Sequence, residues 1–177
     1  RVFYKSLWAT VKYVLIAVPG KLVFALIIAM ILNMKLKCIN FYRTVYYLPS
    51  ILGGSVAISI LWKFLFSKNG TVNTFLAHLH IPALDWLGSP NLALVTMGLL
   101  VVWQFGSSMV LFLAALKNVP AELCEAARVD GAGRIRTFFT ITLPLLTPTI
   151  FFNLINQLIN GFMAFTQSYI ITQGKPR

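Results

Sequence analysis

The sequence predicts an all-α, polytopic membrane protein, a single domain over residues 1–177. Three observations carry that prediction. The chain is 58% hydrophobic and 11% charged, against about 45–50% and about 25% in soluble domains, so too few charges remain to solvate a globule. Its mean hydropathy is +0.80. Its bases fall mostly in short connectors between long apolar runs, which is how topology is written in a bilayer. The net charge of +11 is therefore a topology signal. No interleaved aromatic and basic surface points to nucleic acid as a partner.

Four spans are expected, at about 13–34, 44–66, 92–116 and 148–172. The first is interrupted by Pro19, Gly20 and Lys21. A lysine at that depth is costly, and nothing in the sequence explains it. The basic connector KLKCINFYR follows. The second span carries Pro49, Gly53 and Gly54 near its start and Lys63 near its end. Residues 67–90 are punctuated by Gly70, Pro82, Gly88 and Pro90, with a short interfacial helix expected there and Trp86 as its anchor. The third span has no charge over its 25 residues, long enough for a core of about 30 Å. Residues 137–174 also lack charge. As one helix they would run to about 57 Å, so Pro144 and Pro148 are expected to divide them, with the last span starting near Pro148.

Connectors on alternate sides place 35–43 and 117–136 on one face. Together they hold seven Lys and Arg, while 67–90 holds Lys68 alone. Positive-inside puts the first pair in the cytoplasm. The terminal segments, with Arg1, Lys5, Lys12, Lys175 and Arg177, weigh the other way, but both ends read as cut from a longer chain. The two cysteines, Cys38 and Cys124, then lie on a reducing face as free thiols.

The densest charge lies in EAARVDGAGRIRTFFTITLP, residues 125–144. Three of the chain's four acids, Glu122, Glu125 and Asp130, sit in or just before it, beside Arg128, Arg134 and Arg136. Pro120 and the acids start a helix at its positive dipole end. Gly131 stops it, a second short helix follows from Ala132 to about Thr140, and Pro144 turns the chain. The small residues Ala121, Ala126, Ala127, Gly131, Ala132 and Gly133 let another backbone approach. A docking surface is expected, with Glu125, Arg128 and Asp130 setting register.

In the last span Asn153, Asn156, Gln157 and Asn160 fall on one helical face, extended by Gln167. Amides facing lipid are expensive, so this face looks into the bundle, either as interhelical glue or as a path for solute hydroxyls, to which amides both donate and accept. Phe162 and Phe165 lie nearby on different faces. Trp103, Gln104, Ser107 and Ser108 form a smaller patch, and Ser55 and Ser59 another; both favour packing over ligand contact. His78 and His80 have no further ligand beside them, so no metal is expected, nor any cofactor.

The 125–144 stretch resembles the EAA signature of ABC importer permease subunits. That signature is EAA, three residues, G, nine residues, I, one residue, LP. Here it is Glu125-Ala126-Ala127, Gly131, Ile141 and Leu143-Pro144, without a gap. The Asp130-Gly131-Ala132 form, Phe138 and Pro148 resemble the carbohydrate-uptake branch. FYRTVYYLPS at 41–50, NGTVNTFL at 69–76, VVWQFGSSMVLFLAALKNVPAEL at 101–123 and the terminal TQGK agree, although Lys175 departs from the family's usual TGGGP.

The resemblance implies a type I ABC importer transmembrane domain in the cytoplasmic membrane, with this chain covering about four of six core spans. Residues 117–144 would form the cytoplasmic coupling segment. Glu125, Ala126, Ala127, Asp130 and Gly131 would meet a cytoplasmic ATP-binding subunit, present in two copies. A second permease subunit, an extracytoplasmic solute-binding protein and a sugar substrate complete the expected partners.

Other classes fit less well. A proton-coupled carrier needs an intramembrane carboxylate or His relay, and all four acids lie outside the expected spans. No P-loop, HExxH or nucleophile elbow is present, so ATP hydrolysis is expected in a separate subunit. The alternative is a structural or non-sugar permease subunit, glycerol phosphate included, whose substrate site lies in the partner. The choice of sugar is left open.

Overall fold

The computed structural model describes residues 2–34, 39–163 and 165–172. Among them there are helices and no strands. The chain starts on α1 (Val2–Asn33), a 32-residue helix that forms the axis of the bundle. It packs on α5 (Pro90–Trp103), α6 (Gly106–Lys117) and α9 (Leu143–Phe162). Its inward stripe of Ala17, Ala25 and Ala29 is fully buried, because small residues let membrane helices close to contact distance where no hydrophobic force drives them together. Outward-facing Leu15, Ile16, Val23, Ile27 and Ile31 remain exposed, as expected of a surface that meets acyl chains.

The second apolar run is not one straight rod. It begins at Ile39, inside the expected connector, as α2 (Ile39–Leu52), and turns by 96° into α3 (Val56–Leu65). Pro49 lies within α2, and Gly53 and Gly54 form the turn. The same signals stand in the sequence, but their cumulative effect is a break rather than a kink. Ser55 caps α3 by accepting from the Ile58 N–H at 3.3 Å, and Ser59 donates to Ser55 O at 3.4 Å.

The third run is bent by 47° between α5 and α6 at Gln104–Phe105. At this bend α6 presses on α2. A Cβ on Gly106 would stand 2.7 Å from Tyr46 O and 2.9 Å from Tyr47 Cα, so only glycine allows the two backbones to approach. Phe105 is buried, with its ring edge-on to Phe24 at 4.8 Å. Trp62 of α3 donates through its indole N–H to Thr96 O at 3.0 Å, tying α3 to α5.

Residues 67–90 fold around α4 (Thr71–His78) and one amide. Asn73 is buried. Its Nδ2 donates to Lys68 O and Leu84 O at 3.0 and 2.9 Å, and its Oδ1 accepts from Leu84 N–H and Trp86 Nε1–H at 3.1 and 3.0 Å. Trp86 is therefore turned inward, packing edge-on to Phe66 at 5.5 Å, rather than acting as a free interfacial anchor.

The segment after the charged cluster departs furthest from expectation. α7 (Ala121–Val129) is followed by α8 (Arg134–Thr137), a π-helical turn (Phe138–Thr142) and α9. From Arg134 to Phe162 these run as one apolar helix of 29 residues. Pro144 does not redirect the chain. It lies inside that continuous helix at the start of α9, and the widened π turn just before it carries the Leu143 N–H to Phe138 O. Pro148 is absorbed within the helix. α9 ends at Phe162, and α10 (Phe165–Thr172) packs on α3.

Candidate functional site

Two constructions stand out. The first is a cavity of about 480 Å³ where both helix breaks meet α1 and α9. Its polar wall is Lys21 of α1, Ser50 of α2, Gln104 and Ser107 at the α5–α6 bend, and Gln157 and Asn160 of α9. Tyr13, Ala17 and Val18 supply an apolar side.

The breaks are stitched to each other. Gln104 donates through Nε2 to Gly53 O at 3.0 Å, and the Ser107 N–H donates to Ser50 Oγ at 3.1 Å. Gly53 is buried beneath the Gln104 side chain, and any Cβ there would overlap it. Irregular backbone in a membrane protein is tolerated where protein satisfies it, and here side chains of each break bond the backbone of the other.

The amide stripe of α9 divides between the two roles open to it. Asn153 is fully buried. It accepts from the Ser108 hydroxyl at 3.1 Å and donates to Ser108 O at 3.3 Å. Gln157 donates to Ser108 Oγ at 3.1 Å, and its Oε1 accepts from Lys21 Nζ at 2.9 Å. A polar chain thus runs from α1 through α9 to α6. Asn156 is bound to its own helix, donating to Phe152 O at 3.0 Å. Asn160 lines the cavity. The side chains of Phe165 and Gln167 lie outside the described residues.

Lys21, Ser50, Gln104 and Ser107 as one wall were missed by sequence reasoning. Lys21 carried a signal in its anomalous depth. Gln104 and Ser107 stood in a polar patch read as packing and instead line the cavity, while Ser50 carried no signal; their proximity follows from two breaks meeting across 51 positions of sequence. Trp103, Ser59 and Ser108 pack, as expected: Trp103 lies 6.0 Å from the Trp62 ring, and Ser59 and Ser108 are buried.

The second construction is the elbow at α7. No residue of α7 is buried. Pro120 takes the N-cap position, one residue earlier than a first-turn proline, and Glu122 occupies the first turn. Gly131 adopts φ +80°. Its N–H donates to Arg128 O at 3.0 Å, and the Ala132 N–H donates to Ala127 O at 2.8 Å. This pair of bonds is the Schellman motif, which needs a left-handed residue. Val129 and Ile135 flank the turn with 88% and 77% of their surface exposed. Glu125, Ala126 and Asp130 are exposed and Ala127 half-buried. Cys124 is a free thiol, half-buried under the elbow; Cys38 lies outside the described residues. No group of His, Cys, Asp and Glu that could hold a metal occurs among the described residues.

Broken apolar helices thus surround a polar cavity, and the elbow at α7 is exposed. The chain matches, over residues 4–176, the family described as binding-protein-dependent transport system inner membrane component, and it belongs to that family. It is a multi-pass component of the cytoplasmic membrane. It is 53% identical over 174 residues to the probable ABC transporter permease protein YesP of Bacillus subtilis, covering 98% of this chain and 56% of that one. It is 39% identical to the sulfoquinovosyl glycerol transport system permease protein SmoG of Agrobacterium fabrum, covering 99% and 57%. To the lactose transport system permease protein LacF of Rhizobium radiobacter it is 36% identical, covering 98% and 59%. The chain thus spans less than two thirds of the length of these relatives. In fold it is similar to a bacterial ABC transporter involved in the import of the acidic polysaccharide alginate, with a TM-score of 0.78 over 96% of this chain and 64% of that one at 23% identity.

Proposed function

We propose that the chain is the permease subunit of an ATP-driven saccharide importer, lining the translocation path and coupling to a cytoplasmic ATP-binding subunit through α7. The observation that carries this is the elbow. A rigid, Schellman-capped turn presents two large apolar side chains, Val129 and Ile135, to solvent, and exposed apolar side chains rimmed by charge mark a protein contact. Glu125, Ala126, Ala127, Asp130 and Gly131 form the remainder of that contact. The saccharide class is supported by relatives whose names give lactose and sulfoquinovosyl glycerol as cargo.

The partners that follow are two copies of the ATP-binding subunit, a second permease subunit and an extracytoplasmic solute-binding protein. The chain itself hydrolyses nothing. Gln157, Asn160, Gln104 and Ser107 offer donors and acceptors to sugar hydroxyls, while Asn153 holds α9 on α6.

The test is purification of the full-length chain from its native membrane in mild detergent, followed by reconstitution. Recovery of a P-loop ATPase and ATP-dependent saccharide uptake by proteoliposomes are expected. A folded chain that recovers no ATPase would remove the coupling role. Uptake that survives Leu at Asn160 and Gln104 would move the substrate site to the partner permease.

A further inference from the structure

We propose that the cavity receives a negatively charged solute, a saccharide bearing a carboxylate, and that Lys21 is its counter-ion. This rests on the cavity lying on the translocation path, as proposed above.

Lys21 sits near the midpoint of the apolar stretch Leu7–Asn33, about 20 Å of helix from either end. Only 7% of it is exposed, yet it lines the cavity. A buried cation is expensive unless an opposite charge and hydrogen bonds compensate it. Its described hydrogen bond goes to Gln157 Oε1, a neutral group, which leaves ammonium donors for something else.

Within residues 1–177 no acidic side chain reaches Lys21. It has four acidic residues. Asp85 is paired with Lys68 at 3.2 Å, and Glu122, Glu125 and Asp130 belong to α7 and its cap. None of them lines the cavity. The groups facing Lys21 across it are neutral: Ser50 of α2, Gln104 and Ser107 at the α5–α6 bend, Gln157 and Asn160 of α9.

The backbone adds to the same sign. α3 and α6 both begin at the cavity, where Gly54 and Ser107 line it. A helix start carries a partial positive charge, which favours an anion. One full cation and two helix starts, with no acidic side chain of residues 1–177 in the cavity lining, suit a single carboxylate. The amides and hydroxyls around it suit the sugar hydroxyls that would accompany that carboxylate.

The test uses the complete transporter, with its ATPases, partner permease and binding protein, in ATP-loaded proteoliposomes. The probe is a mixture of di- and trisaccharides containing a uronic acid, each accompanied by its carboxyl-reduced neutral counterpart. Uptake of both members of each pair is read by mass spectrometry. Uronates should enter in preference to their neutral counterparts. Lys21→Met should lower the acid-to-neutral uptake ratio about 10- to 100-fold, the range expected for losing a hydrogen bond to a charged group, and Lys21→Arg should retain most of it. The ratio separates charge recognition from a folding defect, which would lower both members alike.

An acid-to-neutral ratio that Lys21→Met leaves unchanged overturns the inference, whichever sugars enter. So does equal import of neutral partners by the unaltered protein, which would follow if a carboxylate of the partner permease balanced Lys21. In both cases the permease function stands. ATP-dependent uptake of no saccharide at all would overturn that function, and this inference with it.

Discussion

Lys21 Nζ and Gln157 Oε1 lie 2.9 Å apart, linking α1 to α9 across 136 positions of sequence. The same glutamine passes the contact to Ser108 of α6. One side chain therefore belongs both to the packing of the bundle and to the wall of its cavity. Gln157→Leu is expected to impair both: thermal stability in detergent should fall by about 1–2 kcal/mol, and uptake should fall with it. Loss of uptake at unchanged stability would show that Gln157 does not hold α9 on α6.

Asn153 and Asn156 differ within one helix: the first bonds to α6, the second only to α9's own backbone. Asn153→Leu leaves the buried Ser108 hydroxyl and carbonyl without their partner, at a cost of about 1–3 kcal/mol. Asn156 is bound to its own backbone, so Asn156→Leu should change neither melting temperature nor uptake appreciably. Equal melting temperatures for the two variants would show that the Asn153 contacts contribute nothing.

Gly131 is required by backbone conformation and not by space, since a Cβ there would meet nothing within 4 Å while φ is +80°. A β-branched residue in the left-handed region costs about 1–2 kcal/mol or more. Gly131→Val should leave the chain in the membrane while sharply reducing substrate-stimulated ATP hydrolysis by the complex. Gly131→Asn should retain much of it, because Asn tolerates that region. If Val and Asn behave alike, the geometry of the turn is irrelevant to coupling.

Much of this was legible beforehand, and the reasons are local. The positive-φ stop at Gly131 follows from a glycine just past an amphipathic run, and the amide face of α9 from its 3.6-residue period. The two breaks were legible only as signals. Pro49 with Gly53-Gly54 marks weakness, but at the 96° turn Gln104 donates to the Gly53 carbonyl from 51 positions away, while Ser50 accepts the Ser107 N–H of the other bend, 57 positions away. Pro144 misled for the converse reason. A proline reads as a stop unless the preceding turn widens, and a π turn has no clear sequence signature. The inward turn of Trp86 likewise depended on Asn73, a residue whose sequence context did not mark it as buried.

Gln104→Leu should loosen the junction of the two breaks, because the Gln104–Gly53 bond is lost and only the Ser107–Ser50 bond remains of the two described. Faster proteolysis at 52–56 and uptake reduced by about tenfold, the effect of a lost buried hydrogen bond of about 1.4 kcal/mol, are the expected results. Protease resistance equal to that of the unaltered chain would mean that the α2–α3 turn is held by other contacts.

The proposed joint between the elbow and a soluble ATPase is probed by placing a photo-crosslinking residue at Val129, in the full-length chain in its native membrane. Phe151 of α9, apolar and 61% exposed, serves as the control. An adduct with an ATP-binding subunit is expected at Val129 and none at Phe151. A chain that crosslinks at Phe151 to lipid or a second permease, yet yields no ATPase adduct at Val129, would contradict it.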